Sequence, residues 1–483
     1  MGLDPGLRRL ALGTLLAAYP GPVPPDWAVD LLADGLAGHT LFGTNIHDPA
    51  QVAATTAALR AGRPDVLIAI DEEGGDVTRL AHATGSPYPG NAALGAVDDV
   101  TLTRQVYAAI GAELAALGIN LDLAPTVDVN TADENPVIGT RSFGADPARV
   151  AAHSAAAVAG LQSAGVAACA KHFPGHGATV ADSHYELPTV DVPPAVLRER
   201  DLPPFAAVVD AGVRAVMTAH IRVPALTGDG PATFSRAVLV DLLRREYGFT
   251  GAVITDALEM KGAALAAGGV GPAAVRALAA GADLLCIGAK VDADLVAHVV
   301  EEIVAALADG RLDRARVEEA AGRAAELAAW TVAGGTAATT PDGLGYAAAL
   351  RAVRVEGDVT GLTAPLVVQV HAASTIAEGR VPWGLGPHLA GAEVVRAVAG
   401  ETDPDELRRL AGERPIVLVG RHLHRLPGAR ELVDALAATH PVTVVEMGWP
   451  GGWRPTGARA FVTTYGASHA NGRAAAQVLG LAG

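Results

Sequence analysis

The chain has 483 residues, of which 50% are hydrophobic, 18% are charged and 4% are aromatic. This composition excludes a disordered or fibrous protein, and the length predicts two or three domains. The 52 acidic and 36 basic residues give a formal charge of -16, which would repel nucleic-acid phosphates and anionic membranes, so we expect neither nucleic acid nor a membrane as a partner.

The N-terminal stretch and the cysteines do not indicate secretion. Residues 8–19 superficially resemble a secretion signal, but the apolar part is short and ends in Pro20-Gly21-Pro22 without a convincing cleavage site. Cys169 and Cys286 lie in apolar runs, which favours buried small hydrophobes over a disulfide or a reactive thiol. Because no other stretch approaches about 20 uninterrupted apolar residues, we expect a soluble cytoplasmic protein.

The first two thirds of the chain alternate short apolar runs with alanine-rich stretches of helical periodicity. Continuous apolar runs are typical of strands covered on both faces, and the intervening stretches are long enough for crossover helices. The candidate strands are residues 14–18, 40–43, 66–71, 120–124, 168–172, 215–220, 252–256 and 284–288. This pattern predicts the α/β class, with a (β/α)8 TIM barrel over residues 1–335.

The remainder of the chain predicts a second, smaller domain. Residues 336–350 lie in a stretch rich in Gly, Thr and Ala, which is typical of a linker. Residues 351–483 alternate strands with helical segments and indicate a small α/β sandwich-like domain without a phosphate-loop or dinucleotide fingerprint. Its candidate strands are residues 366–370, 416–420, 442–446 and 460–464.

Polar residues fall at the carboxyl ends of the predicted barrel strands. These residues are Asp71, Lys171, His172, His220 and Asp256. Active sites of such barrels are built at this face. The sequence therefore predicts one site at the barrel mouth.

The densest polar cluster is residues 171–177, Lys-His-Phe-Pro-Gly-His-Gly, followed by Asp182-Ser183-His184. The first segment can hydrogen-bond hydroxyls or a carbonyl, or it can be a loop stabilised by its own hydrogen bonds. In the second, Asp182 can contact one imidazole nitrogen of His184 and leave the other to face a substrate. Such a pair favours imidazolium and suits general acid–base catalysis, although a surface Asp-Ser-His turn remains an alternative.

Asp256 ends a predicted strand, where a carboxylate is either a nucleophile or the N-cap of the next helix. A carboxylate that faces an acid–base group across one barrel mouth is what glycoside cleavage with retention requires. The presence of His184 therefore favours the nucleophile.

Residues 71–75, Asp-Glu-Glu-Gly-Gly, close the third predicted strand. The paired glycines allow the backbone to approach a ligand, and Asp71 can accept hydrogen bonds from vicinal hydroxyls. Arg79 and Arg141 are nearby loop cations that would either bind the same ligand or pair with surface carboxylates.

In chain order, these segments resemble the family 3 glycoside hydrolases, specifically their β-N-acetylglucosaminidase branch. The resemblance rests on residues 71–75 with Arg79, residues 141–144, 171–177 and 182–184, and the segment Thr-Asp-Ala-Leu-Glu-Met at 255–260. It spans essentially the whole predicted barrel.

The resemblance implies a β-N-acetylhexosaminidase. Asp256 would be the nucleophile that forms a covalent glycosyl-enzyme, and His184 with Asp182 would replace the usual carboxylate acid–base. The sugar-binding residues would be Asp71, Arg79, Arg141, Lys171 and His172. The implied substrate is a terminal, non-reducing β-linked N-acetylglucosamine, in peptidoglycan-fragment or amino-sugar recycling, and no metal or organic cofactor is implied.

Two features depart from the family pattern. Asp76 stands where many relatives carry an arginine, and we expect little effect. The C-terminal domain resembles the α/β domain of many relatives but is short, and the sequence identifies no residue in it that reaches the active site.

Three alternative functions remain open. A phosphorylase is one, because a neutral histidine base does not repel phosphate. A metal-dependent hydrolase would use His172, His176, Asp182, His184 and His220, but the first predicted strand lacks the His-x-His pair of amidohydrolase barrels. A non-catalytic sugar-binding barrel would be free to lose Asp256 or the Asp182–His184 pair, and both are present.

Overall fold

The computed structural model describes residues 4–288, 291–335 and 340–483, which divide into two compact units. The first unit comprises Met1–Glu72, Thr103–Val129 and Ala145–Thr340. The second comprises Glu73–Leu102, Asn130–Gly144 and Pro341–Gly483. Two segments that follow barrel strands in the sequence therefore belong to the second unit.

The first unit contains an eight-stranded parallel sheet in which the strands are neighbours in chain order. The strands are β1 Leu15–Ala17, β2 Gly38–Leu41, β3 Leu67–Ile70, β4 Leu121–Asp122, β5 Ala167–Phe173, β6 Ala215–Thr218, β7 Ala252–Thr255 and β8 Leu285–Ile287. Strand β8 pairs with β1, and a parallel bridge between Ile254 and Leu284 joins β7 to β8. The predicted TIM barrel is confirmed.

The observed strands differ from the predicted ones mainly at their ends. Strand β4 is only Leu121–Asp122, but hydrogen bonds to β5 continue beyond it, because the carbonyls of Ala124 and Pro125 accept from the N–H groups of Cys169 and Lys171. A parallel bridge joins Thr126 to Lys171. Strand β5 is longer than predicted and carries Lys171, His172 and Phe173 inside the sheet.

Helices cover the strands, and several begin at an aspartate followed by proline. In chain order the helices are α1 Pro5–Leu12, α2 Asp26–Asp34, α3 Pro49–Gly62, α4 Asn91–Val97, α5 Val100–Ala116, α6 Pro147–Ser163, α7 Pro194–Arg200, α8 Pro203–Asp210, α9 Pro224–Thr227, α10 Lys261–Ala267, α11 Val270–Ala280, α12 Ala293–Asp309, α13 Arg314–Val332, α14 Leu344–Ala352, α15 Pro404–Ala411, α16 Ala429–Ala437 and α17 His469–Val478, with a π-helix at Ala237–Glu246. Asp48 and Asp146 cap α3 and α6, each ahead of a proline whose missing N–H costs nothing in the first turn.

The barrel interior is filled by aliphatic and small side chains. A buried cluster there includes Leu16, Leu67, Leu121, Met217 and Ile254, all at most 3% exposed. Cys169 belongs to the same cluster, and both cysteines are buried free thiols, which confirms the sequence prediction. Such packing builds a rigid scaffold beneath the strand ends.

The second unit contains a six-stranded sheet in the order β11-β10-β12-β13-β14-β9. Its strands are β9 Arg354–Gly357, β10 Leu366–Val370, β11 Glu393–Ala397, β12 Ile416–Gly420, β13 Val442–Glu446 and β14 Ala460–Thr463. All neighbours are parallel except β9, which runs antiparallel to β14. One face packs on α15 and α16 and the other on α17, so the predicted second α/β domain is confirmed.

Strands β9 and β11 are absent from the strands predicted from sequence. Both lie at edges of the sheet, and most of their residues are exposed and several are charged. Edge strands lack the continuous apolar run that marks a strand covered on both faces.

The predicted domain bounds, 1–335 and 351–483 with a linker at 336–350, remain a prediction. Residues 336–339 lie outside the described residues, and helix α14 begins at Leu344 within the predicted linker. In the described part of the chain, no single helix is long and apolar enough to cross a membrane, and the pair α10 and α11, which would qualify only together, is bent by 92°.

Candidate active site

Lys171 and Asp71 form a buried ion pair at the carboxyl ends of β5 and β3. The Lys171 Nζ donates to Asp71 Oδ1 at 2.8 Å, and the lysine side chain is only 2% exposed. Asp71 is more accessible, with 17% of its side chain exposed. The pair fixes an acceptor carboxylate at the barrel mouth.

Asp122 lies beside this pair and is fully buried. Its Oδ1 accepts a hydrogen bond from the backbone N–H of Glu72 at 3.0 Å, while its Oδ2 has no partner among the described residues. Burial raises the pKa of Asp122 well above its usual range, and the nearby Lys171 does not offset this effect. Asp122 therefore holds the backbone next to Asp71 in surroundings that disfavour the charged form of its carboxyl.

Asp128 orients His172. Its Oδ2 accepts a hydrogen bond from His172 Nδ1 at 2.7 Å, and its Oδ1 accepts from the backbone N–H groups of His172 and His176 at 3.3 and 2.6 Å. Burial by itself would raise the pKa of the Asp128 carboxyl, but the interactions with His172 outweigh burial and lower it. Because a carboxylate only accepts, the proton of His172 is on Nδ1.

The loop after β5 is held by His176. Its Nδ1 lies 2.7 Å from Thr179 Oγ1 and its Nε2 lies 3.2 Å from Ser183 Oγ. The backbone N–H of Gly262 donates to the carbonyl of Ser183 at 3.2 Å, which ties the loop to the start of α10. These hydrogen bonds fix the loop segment that leads to His184.

His184 and Asp182 form the predicted pair. Asp182 Oδ1 accepts from His184 Nδ1 at 2.6 Å and from its backbone N–H at 2.9 Å. Burial alone would raise the pKa of Asp182, but these bonds and the charge of His184 lower it. Among the described residues His184 Nε2 has no hydrogen-bond partner, and 17% of the side chain is exposed. This nitrogen can exchange a proton with a ligand.

Asp256 directly follows β7 and is partly exposed. Its Oδ1 accepts from the backbone N–H of Ala257 at 2.8 Å. Helix α10 begins at Lys261 with Met260 as its N-cap, so the alternative that Asp256 caps the next helix is wrong.

Three imidazoles interact electrostatically with Asp256. Burial by itself would raise the pKa of the Asp256 carboxyl, but His220, His172 and His184 outweigh it and lower the pKa. Asp256 is therefore an ionised carboxylate close to the imidazoles of these three histidines. His220 itself is buried, with Nε2 donating to the carbonyl of Ala257 at 3.1 Å.

The predicted arginines belong to the second unit. Arg141 makes a two-pronged ion pair with Glu73, with Nε to Oε2 at 2.9 Å and Nη2 to Oε1 at 2.7 Å. Arg79 Nη2 donates to the carbonyl of Ala377 at 2.9 Å. Both arginines are at most 9% exposed and Glu73 is 3% exposed, so Arg141 does not pair with a surface carboxylate.

The structure thus gathers Asp71, Lys171, His172, Asp182, His184 and Asp256 in the first unit and places Arg79 and Arg141 in the second. In residues 4–288, 291–335 and 340–483, no group of three or more His, Cys, Asp or Glu side chains is arranged to hold a metal ion.

Residues 25–327 match the model of the glycosyl hydrolase family 3 N-terminal domain. The chain belongs to this family. The predicted family is confirmed.

Named relatives of this family 3 chain are similar over its barrel or over its whole length. A β-hexosaminidase of Chromobacterium violaceum is 41% identical over 52% of this chain and 71% of its own length. β-Hexosaminidase A of Pseudoalteromonas piscicida is 39% identical over 50% of this chain, which spans only 44% of that longer protein. A family 3 β-N-acetylglucosaminidase from Paenibacillus sp. str. FPU-7 is 34% identical over 98% of this chain and 96% of its own, with a TM-score of 0.88.

Sequence analysis of this family 3 chain missed two buried aspartates that hold the predicted residues. Asp128 orients His172, and Asp122 holds the backbone beside Asp71. Both lie in or just after β4, the shortest strand of the barrel. Two aspartates in the otherwise largely apolar stretch 121–129 are the signal that could have identified them.

Proposed function

We propose that the chain is a retaining β-N-acetylhexosaminidase that removes terminal, non-reducing β-linked N-acetylglucosamine. The similarity to a β-hexosaminidase and to a family 3 β-N-acetylglucosaminidase supports this enzyme class and this sugar. The observation that carries the mechanism is the Asp182–His184 hydrogen bond, which leaves His184 Nε2 available near the ionised Asp256.

In the first step Asp256 attacks the anomeric carbon of the sugar. Its Oδ1 is hydrogen-bonded to Ala257, and within the described residues Oδ2 has no such bond, so Oδ2 is the attacking oxygen. The glycosidic bond breaks as His184 Nε2 donates its proton to the leaving oxygen. The Asp182 carboxylate stabilises the imidazolium before transfer. The products are an alcohol and a covalent ester between Asp256 and the sugar.

In the second step water replaces the aspartate. His184 Nε2, now neutral, accepts a proton from the water as its oxygen attacks the anomeric carbon. The ester bond breaks, and Asp256 recovers its negative charge. Two inversions at one carbon give net retention of the β configuration.

We assign sugar binding to the predicted residues Asp71, Arg79, Arg141, Lys171 and His172. Charged groups suit hydroxyl and carbonyl oxygens because hydrogen bonds with one ionised partner are the stronger ones. The two buried pairs, Lys171–Asp71 and His172–Asp128, are held before any sugar arrives. Fragments of peptidoglycan that end in N-acetylglucosamine are the natural substrates that this proposal favours.

Product analysis tests the proposed reaction. We expect p-nitrophenyl β-N-acetylglucosaminide to be cleaved in preference to the β-glucoside, with free N-acetylglucosamine as the product with or without phosphate. A sugar 1-phosphate would instead indicate a phosphorylase. Preference for the glucoside would contradict the N-acetyl assignment, and cleavage of neither would favour a sugar-binding protein.

Trapping tests the covalent step directly. A 5-fluoro derivative of an activated N-acetylglucosaminide slows breakdown of the ester, so we expect the intact protein to gain the mass of one fluorosugar. Peptide mass spectrometry should place the label on Asp256. A label on another carboxylate would exclude Asp256 as the nucleophile.

A further inference from the structure

A buried group of charges lies at the carboxyl edge of the sheet in the second unit. Arg421 directly follows β12, and its Nη2 donates to Glu378 Oε1 at 2.5 Å and lies 3.7 Å from Asp76 Oδ2. All three side chains are at most 8% exposed. The proposed chemistry gives none of them a role, and for Asp76 the contacts below oppose the expectation from sequence that this residue has little effect.

Asp76 joins three segments that are distant in the sequence. Its Oδ2 accepts from Thr140 Oγ1 at 2.6 Å, and its Oδ1 accepts from the backbone N–H of Ala467, after β14, at 2.7 Å. Thr140 is the neighbour of Arg141. Asp76 therefore holds the segment that carries Arg141 against the end of the sheet.

Glu378 connects the same arginine to Arg79. It directly follows Ala377, whose carbonyl accepts from Arg79 Nη2 at 2.9 Å. Arg421 also lies over the ring of Trp383, 5.6 Å from its centroid. Burial opposes the charge of Arg421, but Glu378 and Asp76 outweigh it and raise the pKa of the guanidinium, so the site keeps a cation.

The loops after β12 and β13 also form hydrogen bonds with the segment 130–144. Arg425 Nη1 donates to the carbonyls of Glu134 and Asn135 at 3.0 and 2.8 Å, and Trp449 Nε1 donates to Asp133 Oδ1 at 2.9 Å. The ends of strands β12 and β13 thus contact the segment 130–144 at several points. A segment fixed in this way loses little freedom when it binds a ligand.

We infer that Arg421 and Asp76 are positioning residues that hold Arg79 and Arg141 in the geometry required for sugar binding. The inference rests on the proposed function, because it takes the sugar-binding roles of these two arginines from it. It gives the C-terminal sheet a function in substrate affinity. A buried ion pair contributes little net stability, so we assign to this one the positioning of the neighbouring segments.

Steady-state kinetics test the inference with Arg421→Met, Arg421→Lys and Asp76→Asn. We expect Arg421→Met and Asp76→Asn to raise KM for p-nitrophenyl β-N-acetylglucosaminide about tenfold and to leave kcat within about threefold, since binding groups act on both ground and transition states. Arg421→Lys keeps the charge and should recover part of the affinity. The control is Arg454→Gln, which removes an exposed ion pair with Glu356 in the same unit and should leave KM unchanged.

A coupling experiment separates positioning from general destabilisation. If Asp76 acts through Arg141, Asp76→Asn should raise KM much less in an Arg141→Lys background than in the wild-type chain. Melting temperatures of all variants identify misfolding, and the near-isosteric Asp76→Asn keeps the test available if Arg421→Met does not fold. Unchanged KM in folded Arg421→Met and Asp76→Asn, or fully additive effects, would overturn the inference. Asp256→Ala in the same assay distinguishes the two proposals, because turnover by that variant would defeat the proposed function itself.

Discussion

Each unit has a carboxylate at the carboxyl end of one of its parallel strands. Asp256 directly follows β7, is partly exposed and uses one oxygen to accept the N–H of Ala257. Glu446 is the last residue of β13 and is fully buried. Its two oxygens accept three backbone N–H groups, from His422, Leu423 and Gly448, at 2.6 to 2.8 Å.

The number of hydrogen bonds that each carboxylate accepts indicates whether it can react or can only hold the backbone in place. A carboxylate whose oxygens are all engaged by backbone groups can organise loops but cannot attack a substrate. A carboxylate that has one oxygen without a backbone hydrogen bond, and imidazoles close to it, can attack a substrate. Parallel sheets bring such residues to one edge in both units, and the number of hydrogen bonds already made decides what the residue can do.

The largest expected effect is the loss of turnover in Asp256→Ala. Without a nucleophile, kcat should fall by about 10⁵-fold, while the melting temperature changes little because the side chain is partly exposed. Kinetics with an activated glycoside measure the first quantity and thermal unfolding the second. Asp294→Asn, an exposed aspartate of α12, is the control and should behave as wild type. Retained turnover in Asp256→Ala would remove the distinction between the two carboxylates.

The next effect concerns the leaving group. His184→Ala should lose about 10²- to 10⁴-fold in kcat/KM on a disaccharide whose leaving group needs a proton, as expected for a general acid. The loss should be much smaller on a dinitrophenyl glycoside, and Asp182→Asn should show the same trend more weakly. His298→Ala, on the exposed side of α12, is the control. Equal losses on both substrates would show that His184 is not the acid.

For Glu446 we expect the opposite pattern. Glu446→Ala leaves three buried N–H groups without an acceptor, so the free energy of unfolding should fall by about 3 kcal/mol. The kcat of the folded variant should be unchanged, because the proposed chemistry is in the first unit. Urea unfolding and kinetics below the transition give both values, with exposed Glu431→Ala as control. A fall in kcat without a fall in stability would reverse our interpretation.

The smallest expected effect is a pH-dependent change in the free energy of unfolding, which compares two buried aspartates of the barrel, Asp128 and Asp122. The folded-state pKa of Asp128 is below its usual value of 3.8, so its stabilisation is present above that pH and is lost as the pH falls through the folded pKa. Asp128→Asn should therefore cost about 2 kcal/mol at pH 7 and less near pH 3.5.

Asp122→Asn is the matched control with the opposite sign. The folded-state pKa of Asp122 is well above 3.8, so ionisation opposes folding increasingly as the pH rises. The variant should gain stability relative to wild type between pH 4 and pH 7. Unfolding curves at several pH values measure both variants, and equal pH dependences would contradict the assigned pKa directions.

Local patterns in the sequence predicted a large part of the molecule. Strands covered on both faces are mostly apolar, so the eight barrel strands and four strands of the second sheet are recognisable as short runs rich in apolar residues, although β2, β4 and β5 also carry buried polar residues. The segments 71–75, 171–177, 182–184 and 255–260 are each contiguous, so neighbouring residues alone are enough to identify them. Asp182 and His184 are two residues apart, and a single turn brings them together.

Tertiary structure decided the partners of these residues. Asp128 lies 44 positions from His172, and Asp76 lies 391 positions from Ala467. No periodicity connects residues so far apart, because their contact depends on how whole strands are ordered. For the same reason the predicted barrel range includes residues 73–102 and 130–144, whereas both segments belong to the second unit and make hydrogen bonds with loops that follow its strands. The amino-acid sequence alone was enough to predict the strands covered on both faces and the reactive side chains, since each depends on neighbouring residues. The edge strands β9 and β11, and the groups that hold the reactive side chains in place, depend on the tertiary structure.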